Sequence, residues 1–113
     1  MSSYKEVLET LCKKMTKESR ALLFTVREKP MNKKQIWEVA NLDYLKLQQE
    51  RSVPEPKKLI TSRYCLDLNM ARLEGAILVN VRHLGVVAVY NITELGKEVL
   101  SYFFQLNRTK IQN

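Results

Sequence analysis

The sequence predicts an α+β fold that is mainly α: a series of helices, one two-stranded hairpin, and flanking N- and C-terminal helices. Three observations carry this expectation. Apolar residues recur at helical spacing through most of the chain. One pair of short apolar runs, "ILVNV" and "VVAVYNI", is divided near Gly85 in the manner of a hairpin. The length, 113 residues with 45% hydrophobic and 27% charged content, is about one domain's worth of ordinary globular sequence. One domain is therefore expected over 1–113, with an N-terminal helix over 1–15, a central unit over 19–93 and a C-terminal helix over 94–107.

In "YKEVLETLCKKM", Tyr4, Val7, Leu8, Leu11 and Met15 fall within one stripe and leave Lys5, Glu6, Glu9, Lys13 and Lys14 largely outside it, which predicts an amphipathic helix. Thr16 has N-cap character before "KESRALLFTVREK". The cluster Leu22, Leu23, Phe24 and Val26 is apolar on more than one side, so this second helix should be central, and Pro30 disfavours its continuation. "MNKKQIWEVANL" carries the cleanest start signal: Asn32 as cap, Gln35 at the capping-box position, and Met31 and Ile36 at the spacing of a hydrophobic staple. Two ends are open to it, one near Asn41 and one after "DYLKLQQERS", where Pro54 and Pro56 break any helix. The polar stretch from Asp43 to Pro56 is then either a helical extension or a long loop.

After Pro56, "KKLITSRYCLDLNMARLE" reads as a helix with Leu59, Leu66, Met70 and Leu73 inward and Gly75 as its stop. Lys57, Thr61, Tyr64, Leu68 and Arg72 lie opposite, and Arg63 projects nearer the core side. A two-residue turn at Leu84-Gly85 would pair Val81 with Ala88, Val79 with Tyr90 and Ile77 with Ile92, giving one wholly apolar face and turning Asn80, Arg82 and Asn91 outward. Thr93 then caps "ELGKEVLSYFFQLN", in which Leu95, Val99, Tyr102, Phe103 and Leu106 line up on one side, while Leu100 and Phe104 point the other way.

Several function classes receive little support. Cys12 and Cys65 are too few for a disulfide framework, and with His83 the only histidine an ordinary zinc site cannot be assembled, so neither metal nor cofactor is expected. No apolar run approaches membrane-spanning length, and Lys5 and Glu6 occupy the place of a signal peptide's apolar region. A cytoplasmic chain without a membrane partner is expected, and the sequons at Asn91 and Asn107 are read as chance. No glycine-rich phosphate loop and no paired nucleophile and base is present, so the chain is not expected to be an enzyme.

The net charge of +7 favours a polyanion, although it is spread along the chain as +3 over 1–30, +2 over 31–74 and +2 over 75–113. "NKKQIWEVANL", "KKLITSRYCLDLNMARLEGAILVNV" and "VVAVYNITELGKEVLSYF" resemble, in order, the first helix, the recognition helix with first wing strand, and the second wing strand with closing helix of a winged helix-turn-helix domain, in the manner of MarR-like and PadR-like regulators. The most specific part is "RLEGAILV" followed after a short hairpin by "YNITELGKEVL", and the resemblance covers roughly Ser19 to Leu106. The stretch Asp43–Pro56 departs from it, because the turn between the two helices of such domains is only a few residues.

The resemblance implies a sequence-specific double-stranded DNA-binding protein, nucleoid-associated, that acts as a transcriptional regulator, with any small-molecule effector left open. Alternatives are a plasmid-segregation or chromatin DNA-binding protein, or a winged-helix adaptor for other proteins. On the DNA reading, Thr61, Ser62 and Tyr64 would read base edges or phosphate, with charge from Lys57, Lys58 and Arg63. Lys33 and Lys34 would hold phosphate beside a helix N-terminus, and Arg82 and His83 would meet the backbone or minor groove from the wing. A homodimer is expected, through Leu8 on the first helix and Leu100 and Phe104 on the last.

Overall fold

A computed structural model describes residues 3–112, with side chains as far as Leu106, so the side chains of the sequon at Asn107 lie outside the described residues. Among the described residues, five helices surround a small antiparallel sheet: α1 Tyr4–Lys14, α2 Lys17–Thr25, β1 Met31–Asn32, α3 Lys33–Glu50, α4 Arg63–Gly75, β2 Val79–Leu84, β3 Val87–Ile92 and α5 Glu94–Gln112. Ser3, Thr16, Asn32 and Ser62 each accept a backbone N–H from the residue three positions on, which fixes where the first four helices begin. At α3 the full capping box forms, with Asn32 Oδ1 accepting from Gln35 N at 2.9 Å and Gln35 Oε1 accepting from Asn32 N at 3.0 Å. Thr93 opens α5 in the same way, accepting from Gly96 N at 3.0 Å.

The core gathers Leu22, Leu23 and Val26 from the end of α2, Ile36 from α3, Leu66, Met70 and Leu73 from α4, and Val99 from α5, all with almost no exposed surface. Each such side chain contributes about 1.5–3 kcal/mol of burial. The central placement expected for the second helix therefore holds. Among the described residues, no helix is long and apolar enough to cross a membrane.

Several expectations are corrected. The sheet has three strands, in the order β1-β3-β2, because Met31 and Asn32 pair with Tyr90 and Val89. A two-residue strand has no periodicity to read. The hairpin turns at Gly85-Val86 rather than Leu84-Gly85, so Val81 faces Tyr90 and Val79 faces Ile92. Gly85 takes φ +65° and Val86 does not have positive φ, as a II′ turn with glycine first requires, whereas the expected turn asks Leu84 to occupy a turn position disfavoured for a branched side chain. The slip is two residues, so each side chain keeps its face, except that Ile77 leaves the ladder with φ 60° and is exposed.

The open question about α3 resolves toward length. It runs on through Asp43–Glu50, and the connection to α4 is the stretch 51–62. In α1, Tyr4 and Val7 are exposed, and Cys12 is the residue that is buried. Burial raises the Cys12 thiol pKa above its ordinary value, with Arg20 opposing. Leu100 is also corrected: it is 7% exposed, because α5 packs against both α1 and α2 and has no bare outer face at that position.

Candidate nucleic-acid interface

The helix expected to start after Pro56 starts at Arg63, with Ser62 as its cap. Lys57, Lys58 and Thr61 therefore lie on the preceding loop rather than on the helix, and the Ser62 hydroxyl is engaged with Cys65 N at 3.1 Å. The loop is held by a row of polar side chains along α3. Asn41 Oδ1 accepts from Leu59 N and Ile60 N at 3.1 and 2.9 Å, and its Nδ2 donates to Ile60 O at 3.0 Å. Trp37 Nε1 donates to the same carbonyl at 2.9 Å. Seven residues beyond Asn41, Gln48 donates to Lys57 O at 2.7 Å and accepts from Lys57 N at 3.0 Å. These contacts replace a sheet ladder, satisfy backbone groups that would otherwise be orphaned, and let Ile60 be fully buried.

The other side of α4 is fixed by Asn69, a buried amide that accepts from Thr16 Oγ1 at 2.7 Å and donates to Cys65 O at 2.8 Å. One hydroxyl thus caps α2 and ties it to α4. With Leu66, Met70 and Leu73 inward, the helix presents Tyr64 (75% exposed), Leu68 and Arg72 to solvent. Arg63 also faces outward, its side chain 70% exposed, contrary to the expected inward lean.

Lys33, Lys34 and Arg63 come together along a cleft of about 660 Å³ between the start of α3, the start of α4 and the hairpin tip at Val86 and Val87, with Tyr90 also lining it. Asp67, which sequence reasoning gave no role, bridges two of these cations, Lys33 and Arg63. Its Oδ1 accepts from Lys33 Nζ at 2.9 Å and from Arg63 Nε at 3.4 Å. The bond to Lys33 is the main reason that the Asp67 carboxyl lies below its ordinary range, and the same bond, against partial burial, holds Lys33 above its own. Lys57 and Lys58 lie away from this cleft and together line two grooves on the flank of α3, one of them shared with Trp37, Leu42, Leu45 and Pro56. Arg82 and His83 are exposed on β2, set back from an apolar tip formed by Leu84, Val86 and Val87. Of the residues assigned to self-association, Leu8 is half-buried against the core, Leu100 is inside it, and Phe104 keeps an exposed edge while packing its ring 5.7 Å from that of Phe24.

Missed in the sequence were Asp67, Asn69 and the row Trp37, Asn41 and Gln48. The row had a signal: positions 37, 41, 44 and 48 form one helical stripe of uncharged side chains with hydrogen-bonding groups. Among the described residues, no group of three or more His, Cys, Asp or Glu is placed to hold a metal ion.

The fold is that of solved TubR structures. TubR bound to 24 bp of tubC from Bacillus thuringiensis serovar israelensis pBtoxis matches 93% of this chain and 96% of its own, with TM-score 0.59 and 15% identity. The type III plasmid segregation TubR matches 93% and 88%, with TM-score 0.57 and 14% identity. No family model matches the chain. In sequence, 99 residues, 87% of this chain and 83% of the relative, are 35% identical to the DNA-binding protein TubR of Bacillus cereus (strain ATCC 10987 / NRS 248), and the chain belongs to the TubR family.

Proposed function

We propose that this chain is a sequence-specific double-stranded DNA-binding protein of a plasmid-segregation system. The observation that carries the reading is the 35% identity to a DNA-binding TubR over 87% of the chain. The solved TubR of type III plasmid segregation favours segregation over the transcriptional role that the sequence alone put first. The element order, with a short strand before α3, α3 and α4 in succession and a hairpin after them, supports a winged helix-turn-helix within a single domain. On this reading α4 enters the major groove and the hairpin is the wing.

The residue assignment changes with the geometry. Tyr64, Leu68 and Arg72 occupy the outer face of α4, and Arg63, Lys33 and Lys34 supply phosphate contacts around the cleft. Thr61, Lys57 and Lys58 approach DNA from the loop, while Ser62 serves the helix cap. Arg82 and His83 contribute from the edge strand of the wing. A homodimer belongs to the same reading, since paired recognition helices reach half-sites about one helical turn apart. Phe104, through its exposed edge, carries its contact in place of Leu100. The protein is expected to act in the cytoplasm, on the nucleoid or plasmid, without enzymatic activity.

Fluorescence anisotropy on short duplexes tests the reading. With about four to six phosphates neutralised per dimer, log affinity falls against log salt with a slope of roughly −4 to −5. A slope near zero with weak binding would favour the protein–protein adaptor. Deleting from a plasmid the DNA segment that the protein protects in a nuclease footprint separates the two DNA roles: segregation predicts plasmid loss without selection, and transcription control predicts altered neighbouring transcripts with the plasmid retained.

A further inference from the structure

We propose that Asp67 is a specificity-determining residue, which holds Lys33 and Arg63 away from DNA unless the sequence offers its carboxylate a base donor. The inference rests on the DNA-binding reading and assigns one acidic side chain a role within it.

Asp67 lies one helical turn after Arg63, on the partly exposed flank of α4 beside Leu68. A single oxygen, Oδ1, takes both Lys33 Nζ and Arg63 Nε, at 2.9 and 3.4 Å. These cations come from the first residues of two different helices and meet at the cleft that also contains Lys34. The carboxylate therefore occupies the place a phosphate oxygen would take between them. All three side chains keep substantial exposure, so the pairing is readily exchanged with an incoming phosphate.

Exchange leaves a bare carboxylate facing a groove of negative potential. In the major groove the amino groups of cytosine and adenine can satisfy it, and carboxylates do accept from cytosine N4. Every base pair carries one such amino group in the major groove, so sequence decides where it lies; where the base edge beside Asp67 is that of guanine or thymine, with carbonyl and ring-nitrogen acceptors alone, the carboxylate stays unsatisfied and keeps competing for Lys33 and Arg63. Non-matching DNA is thus penalised twice, through repulsion of Asp67 and through the two cations it retains.

Asp67→Asn tests this, because the amide keeps the size of the side chain and removes its charge. Glu98→Gln on α5 serves as a variant with the same change in net charge. Two duplexes are used: the tightest binder selected by the wild-type chain from a randomised pool, and a scrambled version of it. Asp67→Asn should tighten scrambled-duplex binding by about twofold to fivefold and steepen its salt slope by about one. The preference for the selected duplex should fall by at least the same factor, while Glu98→Gln preserves it. An unchanged preference in Asp67→Asn, or an equal loss in Glu98→Gln, overturns the role of Asp67 while DNA binding stands. Salt-insensitive, weak binding of both duplexes by the wild type overturns the underlying reading itself.

Discussion

The loop that leads into α4 and the hairpin that follows it have opposite appearances in sequence and in structure. The loop, with two prolines in its first half and a deceptive helical spacing in its second, forms no regular element, yet at 57–60 six hydrogen bonds from Trp37, Asn41 and Gln48 seize its backbone. The hairpin alternates regularly, yet its tip places Leu84, Val86 and Val87 in solvent, with Val86 fully exposed. Regularity along the chain reports which elements form. Firmness depends on where the backbone's hydrogen bonds end, and in the loop they end on side chains about 9 to 23 residues away.

The largest effect expected from this contrast is at the loop. Asn41→Ala removes the partner of two N–H groups and one of two donors to Ile60 O, and should cost about 2–4 kcal/mol in urea unfolding. Gln48→Ala acts at the more exposed end and should cost about 1–2 kcal/mol. If both fall below about 0.5 kcal/mol, water replaces these partners without loss and the contrast between the two stretches collapses.

Gly85→Ala comes next. It forces a side chain onto φ +65° with open space around it, so the cost is backbone strain alone, about 1 kcal/mol. Hydrogen exchange should quicken across 79–92 and leave the amides of Leu59 and Ile60 protected. Quickening at both places would show that loop and hairpin open as one unit.

The smallest effect is a pH dependence. Because its partners on α3 and α4, Lys33 and Arg63, hold the Asp67 carboxyl below its ordinary value, with Tyr90 near Lys33, its contribution is present above the unfolded-state pKa of about 4 and is lost as pH falls through the lower folded value. Between about pH 5 and 2, the wild type should lose slightly more stability than Asp67→Asn. Identical acid limbs would mean that the pairing with Lys33 does not persist in solution.

What could be read from the sequence divides along the same line. Asn32 with Gln35, Thr16 and Thr93 were legible because a cap is decided within four residues. The faces of the hairpin were legible although its turn was misplaced, since a slip of two preserves alternation. The start of α4 was not, because Leu59 sits at helical spacing from Leu66 while its backbone is claimed by Asn41. Leu100 was misread because a periodicity argument assumes one buried face, and α5 has neighbours on two. Lys33, Lys34 and Arg63 were picked out individually by charge. The meeting of Lys33 and Arg63 at Asp67 depends on a contact between residues 34 positions apart.

Asn32 is at once the second residue of β1, paired with Val89, and the cap that opens α3. No linker residue separates the sheet from the helix, and Lys33 follows immediately. A tilt of the hairpin therefore has no slack to take it up. Any tilt would be carried through the β3–β1 pairing to the first turn of α3, so the hairpin and the backbone at Lys33 would turn like two arms of one lever with Asn32 at its pivot.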